Sequence, residues 1–305
     1  MFETLTDPLT LMAILVDGLV YASWLFVVAV GLTLIFGVMQ ILNVTHGSMY
    51  AFGAYTAATM VGWWFDNDLP EFGSFAVLVF AALVVGLVLG PIIERGLLRY
   101  MYGKDEVIIV LVTYATFLIL EDVLLLIWGT DMYDAFQPYG LLGTTDFGDL
   151  TFSNYDLSLI GLALVVGGAL WWGLNGTKRG KLLLAVIHDR EMAQSFGVNV
   201  NLVFMVTFIL GAILGALGGA FTAPQISVAP GIGVEVIVLA FAVVATGGMG
   251  SVPGAAIGAL AVGLVRATAV HLLPQVELFV IYAVMALVLA FRPQGLFSRA
   301  EARKI

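Results

Sequence analysis

The chain has 305 residues, of which 61% are hydrophobic and only 33 are charged, 12 Lys or Arg and 21 Asp or Glu, for a net charge of −9. Ordinary soluble domains are about a quarter charged, so this composition excludes a water-soluble globule. The acidic balance argues against nucleic acid as a partner. The absence of cysteine excludes disulfides, thiolate chemistry and Cys-ligated metal. His46, His188 and His271 are scattered, which argues against a His-based metal site, and no cofactor is expected.

Residues 18–65, 72–93, 192–234 and 236–265 contain no Asp, Glu, Lys or Arg. Such stretches exceed the roughly 20 apolar residues that carry a helix across a bilayer, and no alternating β pattern accompanies them. The fold class is therefore all-α, a polytopic transmembrane helical bundle. Apolar runs in chain order fall at 11–39, 48–65, 74–93, 107–128, 157–174, 201–223, 233–247, 254–272 and 278–291, giving nine expected crossings, with eight or ten as alternatives. Met1 to Pro8 lacks a basic region and carries two acids, so the first run reads as a retained span. The longest polar interruption, 129–157, is an external loop, either a connector or a short docking cap. One membrane domain over 1–305 is expected, with any energy-converting domain on another chain.

Basic residues set the orientation. Arg95, Arg99 and Lys104 fill one loop, Lys178, Arg179, Lys181 and Arg190 a second, and Arg292, Arg299, Arg303 and Lys304 the tail. Nine crossings put all of these on one side. The opposite loops carry acids: Glu3 and Asp7; Asp66, Asp68 and Glu71; then Asp131, Asp134, Asp146, Asp149 and Asp156. The expected topology is N-terminus outside and C-terminus cytoplasmic.

Gly86 and Gly90, then Gly211, Gly215 and Gly219, then Gly250, Gly254 and Gly258, recur at a spacing of four, which lets helix backbones approach closely. Two runs are interrupted instead: Leu42-Asn43-Val44-Thr45-His46-Gly47-Ser48, and Ala245 to Gly254 with its glycines and Pro253. Each reads either as a broken helix lining a pathway or as a turn between spans. The loop at 176–200 holds a short helix over about 190–196, with Asp189 as N-cap and Gly197 as its left-handed stop. A helix that short requires a docking partner for stability.

The segment Glu191-Met192-Ala193-Gln194-Ser195-Phe196-Gly197 resembles the E-A-A-x-x-x-G loop of ABC importer permeases, with Met192 in place of the first Ala. Gly31 to Gly37, then Asn43-Val44-Thr45-His46-Gly47 and Gly53-Ala54-Tyr55, resemble the LivH-type permease of branched-chain amino-acid importers. So do Gly180 to Asn199, Ala245 to Gly258, and the ending Arg292-Pro293-Gln294-Gly295-Leu296-Phe297. The resemblance implies that Arg190, Glu191, Met192, Ala193, Phe196 and Gly197 form a coupling helix seated on an ATPase. It also implies the partners: a second, homologous LivM-type permease, two ATP-binding cassette ATPases and a periplasmic solute-binding protein, all at the bacterial inner membrane. The chain lacks G-x-x-x-x-G-K-[ST], which agrees with ATP hydrolysis on separate subunits. Relatives of this type carry branched-chain amino acids, urea, amides or aromatic acids, so the resemblance leaves the solute open.

Asn43, His46, Tyr50, Glu121 and Thr246 are the candidate pathway residues. Asn43 and His46 either line the pathway or pin the break by bonding backbone groups. Glu121 and Asp122 fall within an apolar run, where a bare acid costs about 3 kcal/mol near the membrane centre. A substrate contact, an ion pair or a position near the outer surface each account for them. Arg266 is the expected partner of a deep Glu121, and Asp17 is a third acid within a span. These carboxylates also define a competing class, an ion-coupled secondary transporter with a proton relay.

Overall fold

The structure is a computed structural model that describes residues 7–292 and 295–297. Expectations resting on residues 1–6, 293–294 and 298–305, including Glu3 and the basic residues Arg299, Arg303 and Lys304, lie outside the described residues. All nine apolar runs form helices. Helix α1 (Pro8–Met39) starts where the Asp7 carboxylate accepts the Leu9 and Thr10 amides at 3.4 and 3.1 Å, with Pro8 in the first turn where no donor is needed. Helices α2 (His46–Asp66), α3 (Ser74–Gly96) and α4 (Glu106–Trp128) follow. The loop after α4 holds the short α5 (Gln137–Leu141) and an antiparallel hairpin of β1 (Thr144–Phe147) and β2 (Leu150–Ser153). Next come α6 (Asn154–Gly176), α7 (Lys178–His188), α8 (Arg190–Ser195), α9 (Val200–Thr222), α10 (Ile232–Gly247), α11 (Val252–Leu272) and α12 (Glu277–Phe291).

Six of these helical segments are long and apolar enough to cross a bilayer: α1, α3 with its 3₁₀ flanks, α4, α6, α9 and α11. Nine full crossings are therefore not reached by length and apolarity alone. Helix α2 has the length, but its Ser, Thr, His and Gly residues dilute its hydropathy. Helices α10 and α12 are short, and 16 residues of α10 rise only about 24 Å.

Helices α1 and α9 form the centre. Helix α1 runs antiparallel to both α9 and α11, and α2 and α3 close the far side of α9. The glycine spacing marks those contacts. A Cβ on Gly90 would lie 3.1 Å from the Ile209 side chain, and one on Gly211 3.0 Å from the Gly31 carbonyl oxygen. Within lipid, such close approach substitutes for the hydrophobic drive that water supplies to soluble cores. Helices α4 and α6 are peripheral. Helix α4 buries only Ile109, Thr113, Phe117 and Leu124, leaving Leu111, Tyr114, Leu118 and Leu126 exposed.

The hairpin in 129–157 answers to its chemistry. A two-residue Gly148-Asp149 turn joins the strands, with Gly148 at φ +66° as at the first position of a type II′ turn.

One expectation is overturned. Arg266 does not meet Glu121; its guanidinium pairs with Glu277 and lies 4.0 Å over the Tyr21 ring. Helix α11 sits against α1 and α12, and α4 packs elsewhere, so the two groups never approach. Asp17 is also engaged, its Oδ2 2.7 Å from His271 Nε2.

Candidate functional site

Two places gather the residues singled out by sequence. The first is the basic end of the bundle. Helix α7 is capped by Thr177, whose hydroxyl accepts the Gly180 amide at 3.0 Å, and it folds back along the end of α6 by burying Gly180, Leu183 and Val186. The Asp189 carboxylate then accepts the Met192 amide at 2.8 Å and starts α8. Gly197, at φ +82°, ends it: the Val198 amide donates to Ala193 and the Gly197 amide to Gln194, a left-handed helix stop. Ala193 is buried against the bundle while Met192 is 54% and Phe196 82% exposed. Glu191 and Gly197 share that outer surface, and the Arg190 guanidinium turns back 5.0 Å over the Phe204 ring of α9. The result is a short helix anchored on one side that holds an apolar tip clear of the bundle.

The second place is the break between α1 and α2. Helix α1 ends at Met39, Gln40 turns into the left-handed region, and the chain doubles back before α2 begins at His46. His46 Nε2 lies 2.9 Å from the carbonyl oxygen of Val28, which is eleven residues, or about 16 Å, along α1 from its end. The imidazole fills the space between α1 and α9: a Cβ on either Gly31 or Gly215 would stand 2.9 Å from its Cε1. Asn43 Oδ1 pins the turn by accepting the Thr45 amide at 3.2 Å and the Thr45 hydroxyl at 2.6 Å. Asn43, Thr45, His46 and Ser48 are all buried, so this break lies inside protein.

Helix α10 begins beside it. Gly231, at φ +88°, turns the chain into α10, and Gly233 faces Gly47 backbone to backbone. Two helix N-termini thus meet within the bundle. Glu121 of α4 joins them: a Cβ on Gly233 would lie 2.8 Å from its Oε1. Four buried polar atoms at this junction, Asn43 Nδ2, His46 Nδ1, Ser48 Oγ and Glu121 Oε1, have no hydrogen-bond partner among the described residues. Asp122, next to Glu121, and Glu235, in the first turn of α10, are exposed.

Of the five pathway candidates, Asn43, His46, Tyr50 and Glu121 gather around this junction. The Tyr50 hydroxyl is tied to Thr222 at 2.6 Å. Thr246 lies at the opposite end of α10, its hydroxyl donating to Ala242 at 2.8 Å, where the tail amides of Leu296 and Phe297 bond the carbonyls of Thr246 and Gly247. The interrupted run 245–254 is accordingly a turn level with the end of α1, since Gly250 packs against Gly37. The connector 223–231 instead runs from the end that carries the 129–157 loop, where Gln225 bonds Asp156 and Val228 bridges Tyr133, to the buried junction at Gly231 and Gly233. Ala229-Pro230-Gly231 and the charged Glu235 just beyond were the available signal for it. An open cavity of about 360 Å³, lined mostly by apolar residues such as Leu264, Val265 and Leu273, lies on α11 and α12 away from both places.

A bundle of membrane-length apolar helices with buried helix breaks and a short, partly exposed helix at its basic end fits a membrane permease. The family described as branched-chain amino acid transport system, permease component, matches residues 14–289, and the chain belongs to it. It is of the LivH type. The high-affinity branched-chain amino acid transport system permease protein BraD of Pseudomonas aeruginosa is 28% identical over 95% of this chain and 97% of the relative. The LivH protein of Escherichia coli (strain K12) is 24% identical over 95% and 96%. The ribose import permease protein RbsC of Haemophilus influenzae is 27% identical over 79% and 72%. No solved structure matches the chain.

Proposed function

We propose that the chain is one permease unit of an ATP-driven importer for branched-chain amino acids or related small solutes. The observation that carries this reading is α8, a six-residue helix that buries Ala193 and presents Met192 and Phe196 outward on the basic end of the bundle. A helix that short has no intrinsic stability, and two exposed apolar side chains at its tip suit a groove on a partner. The partner is an ATP-binding cassette ATPase, contacted through Arg190, Glu191, Met192, Ala193, Phe196 and Gly197. Two ATPases, a LivM-type second permease and a periplasmic solute-binding protein complete the assembly. ATP hydrolysis resides on the ATPases, and this chain carries the transport.

The Lys and Arg residues gathered at the α8 end support a cytoplasmic position for it, with the N-terminus periplasmic and nine segments in the inner membrane as the proposed topology. The junction of α2 and α10 is the gate of the pathway. Its four orphaned polar atoms support this role, because buried groups of that kind cost about 1–3 kcal/mol each unless another state satisfies them. Asn43, His46, Tyr50 and Glu121 border the gate, with Thr246 toward the inward end. Asp122 interrupts the exposed apolar stripe of α4, which suits a surface covered by the second permease rather than by lipid.

Replacing Glu191 and Gly197 together tests the reading in the reconstituted complex. ATP hydrolysis without solute uptake is the expected result, and normal coupled uptake contradicts it. Glu121 Oε1, unpartnered beside the gate, favours a second reading as an ion-coupled carrier. Under that reading the chain alone moves solute along a pH gradient without nucleotide.

A further inference from the structure

Glu94 lies in the last turn of α3 and is 2% exposed. A carboxyl group buried there needs a hydrogen-bonding partner. The hydroxyl of Tyr102, in the loop that joins α3 to α4, donates to Glu94 Oε1 at 2.6 Å. The Tyr102 ring stands edge-on to Phe204, with centroids 5.0 Å apart and planes at 79°. Phe204 in turn carries the Arg190 guanidinium 5.0 Å over its ring. Arg190 is the first residue of α8. A continuous run of contacts therefore leads from the docking helix, through α9, to the inner end of α3.

We infer that Tyr102 is a positioning residue that makes α3 follow α8, a second transmission line beside the direct connection of α8 to α9. The inference rests on the reading of α8 as the ATPase-docking helix. Phe204 belongs to α9, so displacement of Arg190 reaches α9 without an intermediary. Helix α3 instead lies along α9 on Gly86 and Gly90, a close contact made by small residues. Its ties at the inner end are the Tyr102 hydroxyl on Glu94 and the Arg95 Nε on Met205 sulfur at 3.1 Å. Of these, only Tyr102 leads to Arg190 through rigid rings. The four-group chain sets where the inner end of α3 stands for each position of the docking helix.

The test uses the complete complex with its ATPases, read by amide hydrogen exchange with and without nucleotide and by solute imported per ATP. Tyr102→Phe removes one hydroxyl and keeps the ring on Phe204. In the native complex, nucleotide changes exchange at both 190–196 and 90–96. In Tyr102→Phe the change at 190–196 persists, the change at 90–96 is lost, and import per ATP falls on the order of tenfold. Glu94→Gln, whose amide oxygen still accepts the hydroxyl, retains coupling, whereas Glu94→Leu loses it. A full response at 90–96 in Tyr102→Phe, or full coupling in Glu94→Leu, overturns the relay while leaving the docking role of α8 intact. A native complex with no nucleotide response at 190–196 removes the docking role and the relay with it.

Discussion

Gly47 and Gly233 stand backbone to backbone where α2 and α10 begin. A Cβ on Gly233 would lie 2.9 Å from the Gly47 carbonyl oxygen, and one on Gly47 2.8 Å from the Ile237 Cβ. Main-chain contact closes the junction proposed as the gate, leaving no room for a side chain on either glycine. Gly47→Val is expected to lower stability by about 1–3 kcal/mol through overpacking and to abolish uptake. Gly62 of the same helix has no atom within 4 Å of its virtual Cβ, so Gly62→Ala leaves melting temperature and uptake unchanged. Equal behaviour of the two variants in a melting and uptake assay refutes the gate.

His46 acts as a buried strut. Its partner at Nε2 is a carbonyl oxygen, so Nε2 carries the proton and donates, and its ring fills the gap beside Gly31 and Gly215. Truncation to Ala removes both packing and the bond, at an expected cost of about 2–4 kcal/mol, visible as a lower melting temperature in detergent. An unchanged melting temperature shows that the imidazole does not brace α2 against α1.

Phe196 separates docking from folding. At 82% exposure it contributes little to the chain itself. Phe196→Ala is expected to preserve melting temperature while weakening ATPase association by about 2 kcal/mol, in the range of an aromatic anchor. Surface-immobilised complex with titrated ATPase measures this, and native affinity in the variant removes Phe196 from the interface.

Tyr102 supplies a pH signature. Burial first, then the hydrogen bond to Glu94, pushes its phenol above the ordinary value of 10.0. A raised pKa means that the folded state holds the proton more tightly. The stabilisation is therefore complete below pH 10 and is lost as pH rises above 10 toward the folded-state value. The melting-temperature difference between native protein and Tyr102→Phe should be flat from about pH 8 to about 10 and shrink beyond. A difference that grows above that range contradicts the assignment.

How far sequence alone reaches is clearest at the two breaks. Asn43 and His46 advertised the first because polar residues interrupt a long charge-free stretch, and the structure buries both. For the second, the dense glycine and proline of 245–254 point to a turn that the structure puts at the bundle end, whereas the buried start of α10 follows Gly231. A turn at the bundle end and a turn at depth use the same residues. What separates them is which helix lies alongside, and that is tertiary information. Capping at Asp189 and Gly197 was legible because both ends of α8 are decided by local hydrogen bonds. The Arg266 partner was not, since an apolar sequence carries no record of which helices are neighbours, and Glu277 sits only one short turn away. The relay through Tyr102 was invisible for the same reason.

The most direct measurement reconstitutes the chain in lipid vesicles, alone and with its companion permease, ATPases and solute-binding protein, and follows accumulation of labelled leucine. Uphill accumulation only in the full assembly, dependent on ATP hydrolysis, is the predicted result. Accumulation by the chain alone, driven by a proton gradient and indifferent to nucleotide, would contradict the account.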